Sequence, residues 1–193
     1  MEYEKNRRLY HDMNNHNLVM WKLAEKGEYE RLHKYIGKLR PLEKDRHRQW
    51  TQNLILDMIL EYKLLAMEKK KILYEIKTDM IGEIALADKE LCILLGNLLD
   101  NAIEACEKLE EEKRMVKIEV RKHHSMFMLI VENSCEAHAQ VRKGIFRTTK
   151  KDDRMHGYGI HNVRKTVKNR GGQFQYGSRG ENFYVKILIP LVI

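Results

Sequence analysis

The chain has 193 residues, a formal net charge of +8 at pH 7 and 43% hydrophobic residues, enough to bury one ordinary domain core with a helical appendage. No stretch approaches the roughly 20 apolar residues that cross a bilayer, and the start lacks the apolar run of a signal peptide. The three cysteines form no C-x-x-C pair, which argues against zinc and favours a reducing compartment. Because the positive charge is spread along the whole chain, we expect no nucleic-acid partner.

Two short amphipathic helices are predicted at the N-terminus. Over residues 2–25 apolar positions recur at steps of four and three, forming a seam of coiled-coil period through Leu9, Met13, His16, Met20 and Leu23. Gly27 ends this helix, a second run follows over residues 29–39, and Pro41 kinks or interrupts it. Because one hairpin has too small a core to be stable alone, we expect residues 1–50 to dimerise into a four-helix bundle.

Residues 51–193 are predicted to form a second domain, a mixed sheet covered by helices. Asp88 is well placed as the N-cap of the strongest helix. The segment from residue 134 to 156 has few apolar positions and no period, which is typical of a functional or mobile loop. Helices are predicted over residues 51–69, 88–108 and 159–170, and strands over residues 72–77, 115–122, 126–132, 173–178 and 182–191.

A histidine in the first helix is the first candidate for chemistry. On the heptad that places Met13 in the seam, His11 falls on the outer face, with Asn15 one turn later on the same side. Asp12 can orient the imidazole and take its proton, which leaves a nitrogen lone pair for an incoming phosphoryl group. An ordinary exposed histidine on a charged helix would have the same sequence.

The strongest helix carries the second motif, Asn97-Leu-Leu-Asp-Asn101-Ala-Ile-Glu-Ala. Asn97 and Asn101 are four residues apart and project from one face, while Leu94, Leu98, Ala102 and Ala105 face the sheet. Amide oxygens are suitable ligands for a Mg²⁺ that bridges nucleotide phosphates. A buried asparagine that ties the helix to a neighbour is the alternative.

The third motif precedes and opens the helix at residues 159–170. Gly157 and Gly159 flank a helix start, where unpaired N–H groups favour anions and the missing side chains let phosphate approach the backbone. Lys150, Lys151 and Arg154 supply matching positive charge. A G-x-G sequence alone is weak evidence and is also compatible with a simple turn.

Together these segments closely resemble the H, N and G boxes of sensor histidine kinases, specifically the Agr/Vir-like group that senses peptides and related signals. The resemblance implies an α+β protein: an N-terminal helical hairpin forming a dimeric four-helix bundle, then a GHKL (Bergerat-type) α/β sandwich that binds ATP and Mg²⁺. It implies a homodimer that passes the phosphoryl group to a cognate response regulator. By position, the resemblance makes His11 the phosphoacceptor, Asp12 its acid/base partner, and Asn15 the residue that also positions water in dephosphorylation. It assigns metal binding to Asn101, and nucleotide binding to Asn97, Asn101, Thr149, Lys150, His156, Gly157, Tyr158 and Gly159.

The sequence departs from the wider superfamily at the position that recognises adenine. Most members have an aspartate in a D-x-G-x-G motif there. This chain has Asn133 at the equivalent place, and the residues that follow it include no glycines of such a motif. Such kinases usually carry a membrane sensor before the H box, so we expect a cytoplasmic portion of a membrane-anchored protein. Two alternatives stay open: a GHKL nucleotide-binding regulator without effective kinase activity, and a basic helical dimer that docks a partner without ATP.

Overall fold

The computed structural model describes residues 2–39, 49–136 and 158–191. The chain divides into two compact units, residues 1–46 and residues 47–193. Within the described ranges, no helix is both long enough and apolar enough to span a membrane. The predicted interruption at Pro41 lies outside the described residues, as does most of the predicted loop over residues 134–156.

The first unit consists of two helices, α1 (Glu2–Glu25) and α2 (Tyr29–Leu39). Gly27 has a φ of +68°, a left-handed conformation that costs glycine little, and its N–H donates to the Ala24 carbonyl. Between the helices, His16 Nδ1 lies 2.8 Å from the Tyr35 hydroxyl. Neither α2 nor the described part of α1 contains a fully buried residue, and Met13 and Trp21 remain 52% and 58% exposed.

The second unit is built on a five-stranded mixed sheet in the order β1-β2-β3-β5-β4. The first pair is parallel and the other pairs are antiparallel, so the predicted mixed sheet is confirmed. The turn between β2 and β3 places His124 at a φ of +53°. The strands are β1 (Leu73–Thr78), β2 (Met115–His123), β3 (Met126–Ser134), β4 (Gln173–Arg179) and β5 (Asn182–Pro190).

Three helices pack on this sheet: α3 (Leu54–Lys69), α4 (Asp88–Cys106) and α5 (Tyr158–Asn169). Alternate residues of β3 are buried, which is the period-two pattern of a strand with one covered face. The core is formed by apolar residues of the helices and of the covered sheet face, among them Leu60, Leu64, Leu94, Leu98, Phe127, Leu129, Val163, Val167 and Ile187.

One prediction about the helices was wrong in detail. Asp88 is not the N-cap of α4: Ala87 precedes the helix, and the Glu90 carboxylate accepts the Ala87 N–H at 2.9 Å. In α3 Met58 and Tyr62 lie on the exposed face of the helix, at 58% and 43% exposed. The buried face of α3 carries Leu56, Leu60, Leu64 and Met67.

Candidate functional site

His11 lies on the solvent-facing side of α1, as the heptad predicted. Its side chain is 75% exposed, and its Nδ1 lies 3.2 Å from Asn15 Nδ2 and 3.7 Å from Asp12 Oδ1. Within the described part of the chain, Nε2 of this ring has no hydrogen bond or ion pair. Both polar neighbours therefore contact the same ring nitrogen, and the other nitrogen faces solvent.

The two asparagines of α4 differ in their surroundings. Asn97 is half-buried, and its Nδ2 donates to the Ile93 carbonyl of the preceding turn at 2.7 Å. Asn101 is exposed and makes no hydrogen bond to another described residue. The Asn101 amide oxygen is therefore available to an external ligand, whereas part of the Asn97 amide is occupied by the helix itself.

α5 brings the last glycine of the third motif next to α4. Gly159 lies in the first turn of α5, and a Cβ at this position would lie 2.8 Å from Asn97 Oδ1. The second and third motifs are thus in contact through Asn97 and Gly159. Four predicted site residues, Thr149, Lys150, His156 and Gly157, lie outside the described residues, and for Tyr158 only the helical backbone is described.

Asn133, the predicted adenine-reading residue, lies near the end of β3 on the buried face of the sheet. It is 5% exposed, and its Nδ2 donates to the Ser134 carbonyl at 2.8 Å. In the register, Asn133 lies between Val116 of β2 and Phe183 of β5. One of the two N–H donors of its side-chain amide is therefore used by the backbone.

Two ion pairs that hold α4 in place were not predicted from the sequence. At one end, Arg170 Nε donates to Glu90 Oε1 at 2.8 Å, and this bond lowers the pKa of Glu90 below its ordinary value. On the side facing α3, the largely buried Lys63 ammonium donates to Asp100. Lys63 and Asp100 lie 37 residues apart in sequence, so no spacing rule relates them. The only local signal for this pair was the position of Lys63 among the apolar residues of α3.

Comparisons with known proteins agree with this fold. The solved structures of similar fold include three that are each under 25% identical to this chain: the catalytic domain of histidine kinase ThkA (22% identity, TM-score 0.58, 72% of this chain and 91% of that one), the mycobacterial sensor histidine kinase MprB (15%, 0.52, 70% and 93%) and the Acinetobacter baumannii histidine kinase AdeS (14%, 0.54, 95% and 98%). They define the fold as that found in histidine kinase catalytic domains. No curated protein matches the sequence.

The family is given by a sequence model. The model described as GHKL domain matches residues 86–190, more than half of the chain. The matched range begins just before α4 and ends at the last residue of β5, so it includes both Asn97 and Gly159. The chain therefore belongs to the GHKL domain family.

Proposed function

We propose that this chain is the catalytic portion of a sensor histidine kinase, which uses MgATP to phosphorylate His11 and passes the phosphoryl group to a response-regulator aspartate. The observation that carries the proposal is the exposed His11 ring, held at Nδ1 by Asn15 and Asp12, on a helical unit joined to a GHKL domain. The solved structures of similar fold are histidine kinases, which supports the same activity.

The contacts at Nδ1 bear on the proton chemistry of His11. When Asn15 donates to Nδ1, the neutral ring carries its proton on Nε2 and has no lone pair there. With the proton on Nδ1 instead, the Nε2 lone pair is free, and a small rotation brings the Asp12 carboxylate within bonding range. Nε2 then attacks the γ-phosphorus, the bond from phosphorus to the ADP oxygen breaks, and Asp12 takes the ring proton as ADP leaves.

The nucleotide would be held by α4 and by the start of α5. An uncommitted amide oxygen at Asn101 fits Mg²⁺, which takes few protein ligands and completes its shell with water and phosphate oxygens. Bound there, Mg²⁺ would neutralise charge on the phosphates. The amides at Gly157 and Gly159, together with Lys150, Thr149 and His156, would hold the triphosphate. Asn133 is the proposed adenine contact.

The helical unit would supply the dimer. Its described side chains are exposed or half-buried in the single chain, including those of Met13 and Met20 on the seam, which a bundle of two hairpins would cover. We assign the kinase to the Agr/Vir-like group on its motifs, which implies quorum-sensing signals, and we place the chain on the cytoplasmic side of a membrane-anchored protein.

The direct test is autophosphorylation with γ-labelled ATP. Wild-type protein should acquire a label that hydrolyses in acid and survives base, as a P–N bond does, and His11→Gln should abolish it while leaving ATP affinity unchanged. His33→Gln is the matched control, because His33 is an exposed histidine of the same helical unit. Unchanged labelling of His11→Gln would exclude His11 as the acceptor, and ATP binding without any label would favour a nucleotide-binding regulator.

A second variant tests the metal role of α4. Asn101→Ala removes the free amide oxygen, so phosphorylation should fall by orders of magnitude because charge on the transferred group is no longer neutralised. The variant should keep its circular dichroism spectrum, since Asn101 is exposed and makes no described hydrogen bond. Unfolding of Asn101→Ala would show a structural role instead.

A further inference from the structure

The first turn of α5 lies so close to the Asn97 side chain that a larger residue at position 159 would have to push the Asn97 amide aside. A Cβ built on Gly159 would lie 2.8 Å from Asn97 Oδ1 and 3.4 Å from its Cγ. The φ of Gly159 does not lie in the left-handed region, so backbone conformation does not require glycine here. The contact with Asn97 is therefore one structural reason for glycine at this position.

The Asn97 amide has a defined orientation next to α5. Its Nδ2 donates to the Ile93 carbonyl within α4, and its Oδ1 is the atom nearest to the place where a Gly159 side chain would begin. Rotation of the amide out of this orientation would break the bond to Ile93. A side chain at residue 159 would therefore have to displace an amide that is already hydrogen-bonded.

α5 is also anchored at its other end. Arg170 pairs with Glu90, near the start of α4, so α5 runs antiparallel to α4 and contacts it at both ends. Between these ends Val163 and Val167 are buried in the core. A small displacement of the first turn of α5 would therefore change the surroundings of the Asn97 side chain while Val163, Val167 and Arg170 keep their contacts.

We infer that Gly159 is a positioning residue: by lacking a side chain it lets α5 close onto α4 and holds the Asn97 amide in the orientation that the nucleotide site uses. The inference rests on the proposed function for its effect on nucleotide, but the contact itself is independent of any ligand. It gives Gly159 a role beyond the close approach of phosphate to its backbone.

The test is Gly159→Ala, with Gly96→Ala as the matched control. Gly96 precedes Asn97 in α4, and a Cβ there would meet nothing within 4 Å, so the same change should leave nucleotide binding unaltered. In Gly159→Ala the overpacked contact must displace the Asn97 amide, and MgATP affinity should fall roughly tenfold or more. The KM for MgATP should rise more than kcat falls, because the displaced group supports binding.

A double-mutant cycle with Asn97→Ser separates the contact from every other role of Gly159. Serine ends short of the position of Asn97 Oδ1, so adding Gly159→Ala to Asn97→Ser should cause no further loss of MgATP affinity. The thermal midpoint of the double variant should equal or exceed that of Asn97→Ser, because alanine favours helix more than glycine does. An equal loss of affinity from Gly159→Ala in both backgrounds would overturn the inference.

The cycle also works if the proposed function is wrong. Should the wild-type protein bind no MgATP, the thermal midpoints of the same four proteins still report the contact: Gly159→Ala should lower the midpoint when Asn97 is present and not when serine replaces it. An equal decrease in both backgrounds would again overturn the inference, whatever the nucleotide result.

Discussion

The seam of α1 offers a quantitative test of the proposed dimer through Met13→Glu combined with Met20→Glu. In the single chain Met13 is 52% exposed and Met20 is half-buried, so a partner could still bury about half of Met13 and a smaller part of Met20. Complete burial of a methionine contributes about 1.5–3 kcal/mol, so the remaining burial contributes about 1 kcal/mol for Met13 and about 0.5 kcal/mol for Met20. A symmetric dimer has two copies of each, and their loss costs about 3 kcal/mol, which corresponds to roughly a hundredfold weaker dimer.

The measurement is sedimentation equilibrium on wild type and variant across a wide range of concentration. Leu18→Glu is the matched control: Leu18 is 51% exposed on the same helix, but it lies on the side of His11 and Asn15 rather than on the seam. That control should dimerise like wild type. If the double variant keeps wild-type dimer affinity while retaining its helix content by circular dichroism, the dimer interface lies elsewhere and the seam argument is refuted.

Two further predictions concern the GHKL domain. The bond to Arg170 lowers the pKa of Glu90, so the stability that this ion pair contributes is fully present above about pH 5 and is lost as the pH falls through the lowered pKa. Urea unfolding of Glu90→Gln should therefore give a lower free energy of unfolding than wild type at pH 7, and the difference should shrink toward about pH 3. A difference that stays constant with pH would contradict this assignment. If residue 133 contacts adenine, Asn133→Asp should increase the affinity for ATP and widen the preference over GTP in calorimetry, because a carboxylate only accepts hydrogen bonds. The free protein should lose stability, because the bond to the Ser134 carbonyl is gone. Unchanged affinity for both nucleotides would show that another residue contacts the base.

The sheet was predictable because its signals are local. Alternation of apolar and polar residues along β2 and β3 is the direct consequence of one covered face, and the short turn at His124 fixes which residues pair. The last hairpin follows the same logic, with Gly180 at a φ of +61° in the turn between β4 and β5. Strand positions could therefore be derived from the sequence to within a residue or two.

The helices were harder to orient because their apolar residues do not form a single stripe. In α3 apolar side chains occupy nearly every side, so the exposed Leu54 and Met58 fit a helical period as well as the buried Leu56 and Leu60 do. Only packing against α4 decides between the faces. The prediction that Asp88 caps α4 was wrong because the helix is capped by a side chain of its own first turn: the Glu90 carboxylate accepts the Ala87 N–H.

The candidate site divides in the same way between local and distant contacts. The outward position of His11 and its pairing with Asn15 follow from helix geometry alone, because both residues lie on one face one turn apart. The contact between Asn97 and Gly159 joins segments that lie far apart in sequence, with β2 and β3 between them, and no spacing rule relates them. Each motif could be recognised separately, yet the reason that the third motif has glycine at residue 159 is a side chain of the second. An amide that is needed in one orientation thus constrains a distant backbone position, and the chain meets that constraint by having no side chain there.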